Sequence, residues 1–324
     1  MVIGAGAWGT ALAQAAALAG RSVTLVGRDA QLMAALNQTR LNRPYLGDLS
    51  LSEGIFATVA TDALEAAEIV IMGVPAQATR EALAELGPGR LADKPVVLSA
   101  KGLEKGTLKR QSQILAELAP EAKPLVLSGP SFAHDVAAGR PTAVTLAGPD
   151  AQLAGQVAQA LAGPSFRPYA AGDMTGVELA GGLKNVYALG CGAVEGAQLG
   201  LSARASLLAR AYVELSRLVE AMGGAPSTLT GLAGLGDLTL SCTSTQSRNY
   251  RFGVELGAGR SVAEIALGIG LAEGVHTAPV AQSLARRAGI EVPLIDAVNL
   301  LLAGSLAIND IVAGLMARPL KRED

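Results

Sequence analysis

Through the first half of the chain, short aliphatic and β-branched runs alternate with apolar positions spaced for helices. This alternation predicts a parallel sheet flanked by helices. Residues 1–3, 22–27, 55–59, 69–74, 95–100, 125–128, 143–147 and 166–169 read as strands, with helices over 10–19, 30–42, 77–86, 111–118 and 151–161. Beyond Gly172 the strand signal fades. Helices are expected there over 176–195, 203–221, 262–267, 278–288 and 293–303, with a Gly-, Ser- and Thr-rich loop system over 223–251. The apolar stretch 290–315, interrupted by Glu291, Asp296, Asn299 and Asp310, reads as a buried, partly amphipathic helix pair. The pattern changes near residues 168–175 without a low-complexity linker, so an α/β domain over 1–171 and an all-α domain over 172–324 are expected.

Composition narrows the classes. The chain of 324 residues is 50% hydrophobic, 3% aromatic and 17% charged, enough apolar surface to offset the entropy of ordering and exclude whole-chain disorder. Its 26 Lys and Arg against 28 Asp and Glu leave a net charge of −2, and few aromatics are available to stack bases, so no nucleic-acid partner is expected. Residues 1–20 carry no charged side chain, yet they lack a basic leader, and their glycines, Thr10 and Gln14 make a poor spanning helix. No membrane insertion and a cytoplasmic location are expected. Cys191 and Cys242 lie far apart and suit a reduced compartment, as small buried side chains; with only two histidines, a structural zinc site is not expected.

The first candidate for chemistry is Gly4-Ala5-Gly6-Ala7-Trp8-Gly9, which follows an apolar strand, opens an Ala-rich helix and precedes a second strand. The first glycine permits a tight turn, the second lets backbone approach a pyrophosphate, and the third lets helix pack on strand. In that setting the motif predicts a Rossmann-like dinucleotide site, with a ligand-free glycine turn as the bland alternative. The second strand ends in Gly27-Arg28-Asp29. Arg28 suits a 2′-phosphate and favours NADPH, Asp29 keeps NADH open, and Arg28 as a solvated surface charge is the alternative.

A dinucleotide fold does not name a reaction. None of Tyr45, Tyr169, Tyr187, Tyr212 and Tyr250 has a lysine four residues later, which excludes the short-chain dehydrogenase arrangement, and neither His134 nor His276 has an obvious sequence partner. Lys184, in Gly181-Gly182-Leu183-Lys184-Asn185-Val186, lies within a long apolar helix. A lysine there is costly to bury unless it faces a polar site, and desolvation brings its acidity toward useful values; the bland reading is a side chain that snorkels to solvent. The adjacent glycines weaken a helix and imply that a ligand or another backbone comes close.

Ordered along the chain stand Gly4-x-Gly6-x-Trp8-Gly9-Thr10-Ala11, Ala100-Lys101-Gly102-Leu103-Glu104, Ser128-Gly129-Pro130-Ser131-Phe132-Ala133, Gly182-Leu183-Lys184-Asn185-Val186, Gly234-Leu235-Gly236-Asp237-Leu238, Gln246-Ser247-Arg248-Asn249 and Ala272-Glu273-Gly274. Together they closely resemble the bacterial NAD(P)-dependent glycerol-3-phosphate dehydrogenase family over nearly the whole chain. The resemblance implies a helical second domain of the 6-phosphogluconate dehydrogenase type, and reduction of dihydroxyacetone phosphate to sn-glycerol 3-phosphate for phospholipid backbones. It implies cofactor contacts, for NADPH or NADH, at Gly4, Gly6, Ala7, Trp8, Gly9, Arg28, Lys101, Ala133, Arg248, Leu271 and Glu273. Substrate contacts follow at Lys101, Gly129, Ser131, Lys184, Asp237, Ser247, Arg248 and Asn249, with Lys184 as general acid/base. A homodimer is left open. A related β-hydroxyacid or 6-phosphogluconate-type dehydrogenase, and a dinucleotide-binding module without turnover, are the rival readings.

The residues by themselves agree on where positive charge must come from. A chain of net charge −2 attracts a phosphorylated triose only through local cations, and Arg248 between Ser247 and Asn249 offers guanidinium, hydroxyl and amide donors together. Lys101 follows a strand, at the end where ligands collect in such sheets. Asp237 reads either as a turn residue or as a carboxylate facing Lys184, and Glu273 as a carboxamide partner or a helix cap. The helical half also holds more than half of the 39 glycines. Their neighbourhood around Lys184, Asp237 and Glu273 predicts close approach of backbone to ligand. One departure from the family pattern is that only Met1, Val2 and Ile3 precede Gly4. A start assigned too late or a trimmed chain is expected from this, with a weaker sheet centre.

Overall fold

The computed structural model describes residues 1–319. Eight strands, β1 (Val2–Ile3), β2 (Val23–Val26), β3 (Ile55–Thr58), β4 (Val70–Met72), β5 (Pro95–Leu98), β6 (Lys123–Ser128), β7 (Thr142–Ala147) and β8 (Phe166–Ala171), form one sheet in the order β3-β2-β1-β4-β5-β6-β7-β8. All eight predicted strands are present. The expectation of a parallel sheet needs one correction, because β6 and β7 pair antiparallel while every other pair is parallel. The connection between them, residues 129–141, holds only a five-residue helix and turns back instead of crossing over.

The helices of this part are α1 (Ala7–Leu18), α2 (Ala30–Thr39), α3 (Arg43–Leu46), α4 (Thr79–Leu86), α5 (Gln111–Leu118), α6 (Ala133–Ala137) and α7 (Ala151–Leu161). They cover the sheet, and apolar cores lie against it: Leu12, Leu25, Leu127 and Phe166 in one, Val70, Met72, Leu83 and Leu98 in another. Central strand positions such as Leu25, Val70 and Val97 have essentially no solvent exposure, as expected for strands buried on both faces. The helix expected over 30–42 stops at Thr39, where Arg40 turns left-handed at φ 59°. β1 has two residues at the sheet centre, and the Met1 ammonium donates to the Ile69 carbonyl at 2.8 Å. Burial lowers that amine to about 6.

Among the described residues no strand follows β8. The remaining helices are α8 (Met174–Gly196), α9 (Leu201–Ala221), α10 (Asp237–Thr243), α11 (Arg248–Gly257), α12 (Val262–Ile269), α13 (Glu273–Ala288), α14 (Pro293–Leu302) and α15 (Ile308–Met316). The loop system expected over 223–251 is instead a 3₁₀ turn at Pro226–Thr230, a π turn at Leu232–Gly236, α10 and the start of α11. Small and hydroxylated residues have weak helix propensity, and packing overrides it here. The expected C-terminal helix pair exists as α14 and α15, but its burial is uneven. Ile295 and Val298 of α14 are buried, whereas α15 buries only Ile311 and leaves Met316 exposed.

By compactness the described residues form two units, one of residues 1–182 with 223–237, the other of 183–222 with the described residues from Leu238 onward. Within the first, Gly181 and Gly182 let the start of α8 lie on the strand-end loops: a Cβ at Gly181 would come within 2.4 Å of Ser128 Oγ, and one at Gly182 within 3.6 Å of Gly102. Within the second, Gly192 and Gly196 of α8 face Gly253 and Gly257 of α11. A Cβ at any of the four would sit 1.9–2.1 Å from a carbonyl oxygen of the facing helix. The expectation that the surplus glycines mark ligand approach is therefore corrected for these positions: they let one backbone pack on another.

Candidate active site

In the first unit the glycine turn is built as a cradle. Gly4 adopts φ +105°, and a Cβ there would press on the Gly73 carbonyl at 2.9 Å. Gly9 carries the close approach of α1 to the turn, since its Cβ would fall 1.8 Å from the Gly4 carbonyl oxygen. At Gly6 an added Cβ would meet nothing within 4 Å, so the space over the turn is open. Gly6 is also the N-cap of α1, and no side chain caps it among the described residues. The amides of the first helical turn have no intrahelical acceptors, so they are available to an anion. These features fit a dinucleotide pyrophosphate.

The turn is braced from below by a residue that sequence reasoning missed. Asn42, fully buried, donates through Nδ2 to the Ala5 carbonyl at 3.0 Å and to Thr10 Oγ1 at 2.7 Å. Nothing local marks it, because its partners lie 37 and 32 residues away. At the end of β2, Arg28 is exposed, while Asp29 caps α2: its Oδ1 accepts from the amides of Gln31 and Leu32 at 2.9 and 3.0 Å.

Lys101 follows β5. Its Nζ donates to the Gly129 carbonyl at 2.9 Å and to Asp237 Oδ2 at 2.7 Å, and lies 5.9 Å from the centroid of the Trp8 ring. The lysine side chain is 13% exposed and the Asp237 carboxylate 0%, so this ion pair is shielded from solvent. Gly129, at φ +147°, passes so close to β7 that a Cβ would lie 2.9 Å from Val144 Cα. Its carbonyl accepts a second bond, from Ser131 Oγ at 2.9 Å. Trp8, Lys101, Gly129, Ser131 and Asp237 thus form one connected set. Ala133 opens α6 and packs against the core under α1.

The second unit holds the remaining predicted residues. Lys184 is buried in α8 and its Nζ donates to Ser241 Oγ at 2.7 Å. Ser241 was missed because residues 237–243 read as loop; as a helix, one turn carries Asp237 to Ser241 on the same side. Ser247 caps α11 by accepting the Tyr250 amide at 3.3 Å, which sets Arg248, exposed, in the first turn of that helix. Asn249 is buried and accepts the Gly274 amide at 2.8 Å through Oδ1, leaving its NH₂ group as a donor. Glu273 opens α13, and Asn185 Nδ2 donates to it at 3.5 Å. Leu271, just before α13, is 46% exposed. Asn185 is a further member that sequence reasoning did not assign.

A glycine turn of this geometry at the head of a mostly parallel sheet defines a dinucleotide-binding protein. The buried lysine of α8, donating to Ser241, suits a group that gains or loses a proton, as hydride-transfer enzymes of that class need. Comparison with known proteins gives the family. The model for the NAD-dependent glycerol-3-phosphate dehydrogenase N-terminus matches residues 1–154, and that for the C-terminus matches residues 173–313. The chain is 47% identical over 323 residues to the glycerol-3-phosphate dehydrogenase [NAD(P)+] of Caulobacter vibrioides, covering 99% of this chain and 98% of that one. It is 48% identical over 324 residues to that of Brucella canis, covering 100% and 98%. The crystal structure of glycerol-3-phosphate dehydrogenase from Coxiella burnetii superposes with a TM-score of 0.91 at 38% identity, over 98% of each chain. The chain belongs to the NAD-dependent glycerol-3-phosphate dehydrogenase family.

Proposed function

We infer that this chain catalyses the reversible NAD(P)H-dependent reduction of dihydroxyacetone phosphate to sn-glycerol 3-phosphate, an oxidoreductase reaction at a CH–OH carbon that supplies glycerophospholipid backbones. Full-length similarity to enzymes of that name carries the reading, because it spans both the glycine turn and the Lys184 helix. We assign residues 1–171 to dinucleotide binding and 172–324 to substrate binding and catalysis.

The bound dihydronicotinamide supplies hydride to the substrate carbonyl carbon. The amides at the head of α1, with Gly4, Gly6, Ala7, Trp8 and Gly9, hold its pyrophosphate. Lys184 donates a proton to the carbonyl oxygen as charge grows there, and in the oxidative direction its amine takes the proton back from the hydroxyl. Ser241 fixes the direction of Nζ through its 2.7 Å hydrogen bond. Arg248, the NH₂ of Asn249 and the capping Ser247 gather donors at the start of α11, where the helix dipole also favours phosphate. Lys101, Gly129, Ser131 and Asp237 hold the substrate's polar oxygens, with Asp237 keeping the Lys101 ammonium in place. Ala133, Leu271 and Glu273 complete the cofactor contacts. NADPH is the preferred cofactor in this reading: Arg28 is exposed at the end of β2, where a cation suits a 2′-phosphate, whereas Asp29 uses an oxygen to cap α2.

Among the described residues no helix is long and apolar enough to cross a membrane. A cytoplasmic location belongs to the same reading, in keeping with two buried cysteines, Cys191 and Cys242, as does a homodimer, which sedimentation would test. The deciding experiment is Lys184→Ala. Turnover of dihydroxyacetone phosphate is expected to fall by about 10²–10⁴-fold or more while NADPH binding, followed by nucleotide fluorescence, is retained. Near-normal turnover would remove Lys184 from catalysis.

A further inference from the structure

We propose that Trp8 is a positioning residue for Lys101, and that through it the dinucleotide turn acts on the cation that meets an anionic substrate. The proposal deepens the reading above and rests on Lys101 contacting substrate. Three observations carry it. The Trp8 ring lies with its centroid 5.9 Å from Lys101 Nζ, within the range where an aromatic quadrupole attracts an ammonium. Trp8 is the second residue of α1, so its backbone belongs to the turn that binds pyrophosphate. Its indole N–H is buried without an acceptor among the described residues.

Among the described residues the π face of Trp8 has a polar partner, Lys101, while the N–H has none, and indole attracts a cation more strongly than the other aromatic rings. The chain has one tryptophan, and it stands at this position. The chemistry also suits the ligand. Lys101 faces a carboxylate, Asp237 Oδ2 at 2.7 Å, and an uncharged ring adds to the hold on its ammonium without adding negative charge that would repel a phosphate ester. If dinucleotide binding orders the turn, it orders Trp8 and hence Lys101, so each ligand raises affinity for the other by the same factor.

The test uses Trp8→Leu, Trp8→Phe and Lys101→Met in the full chain. With a single tryptophan, all indole emission comes from Trp8, and Lys101→Met is expected to change its intensity or wavelength in the ligand-free protein. At saturating NADPH, Trp8→Leu is expected to raise KM for dihydroxyacetone phosphate by about 3–10-fold, with kcat changed less, and Trp8→Phe to recover most of the loss. Unaltered emission in Lys101→Met, or a wild-type KM in Trp8→Leu while Lys101→Met raises KM, overturns the role of Trp8 and leaves Lys101 as a substrate group. A wild-type KM in Lys101→Met overturns the substrate reading of Lys101 and the proposal with it.

Discussion

The glycine turn of the first unit and the α8–α11 seam of the second use the same residue for opposite ends. At Gly6 the missing side chain leaves open space above backbone amides. At Gly192, Gly196, Gly253 and Gly257 it leaves no space at all, because a facing helix backbone already occupies it. The first pattern leaves room above the amides, which the proposed function gives to pyrophosphate, and the second fixes one helix against another. Under the same proposal the second also bears on chemistry, since α8 carries Lys184 and α11 carries Arg248 and Asn249. A glycine-rich helix is therefore not by itself a binding signature.

Substitution breaks or sharpens this contrast. Gly253→Ala places a methyl group 2.1 Å from the Leu189 carbonyl oxygen, so the helices must separate. A loss of about 3 kcal/mol in unfolding free energy is expected in urea titration, together with reduced kcat/KM. A wild-type midpoint would show that the seam is plastic. The buried carboxyl of Glu214 in α9 provides a pH test of the same unit. It accepts the amides of Leu294 and Ile295 at the head of α14 at 2.9 and 3.1 Å, yet burial pushes it up to about 7. Because the folded chain keeps this proton where the unfolded chain has lost it, stability is greatest below the ordinary glutamate range and falls as pH rises toward 7. Glu214→Gln is expected to remove about 2–3 kcal/mol of that decline between pH 4.5 and 7.5, measured as the difference in Tm against pH from wild type.

In the first unit, Gly6→Ala is expected to leave Tm unchanged and to weaken NADPH binding by about tenfold or more, since under the proposed function the methyl enters the open space that pyrophosphate takes. An equal loss of Tm would make Gly6 a packing glycine and erase the contrast. The smallest expected effect is at Arg28→Asp. The ratio of kcat/KM for NADPH over NADH should fall by about tenfold, as a 2′-phosphate loses its cation and meets a carboxylate. An unchanged ratio would show that Arg28 does not read the phosphate.

The strands were legible because a strand buried on both faces is written as a continuous aliphatic run, as in residues 95–98 and 70–72. Residues 237–257 were not, because their Gly, Ser and Thr content carries a loop signal locally and only burial of Phe252 and Leu256 makes α11 worthwhile. The antiparallel β6–β7 pair was equally hidden, since strand direction leaves no trace in periodicity. Among site residues, the glycine turn and Lys184 stood out as local anomalies: glycines opening a helix, and a charge inside an apolar one. Ser241 and Asn42 did not, being ordinary polar residues whose roles come from distant partners.

By itself, then, the sequence determined the alternation of strands and helices, the cradle at Gly4 to Gly9 and the family, because each is encoded in local spacing and residue type. Only tertiary structure decided that Lys101 meets Asp237 across 136 residues, that Trp8 lies beneath that ammonium, and that the helical glycines serve packing. Such contacts depend on chain closure, and no local pattern records which distant groups the closed chain brings within 3 Å of each other.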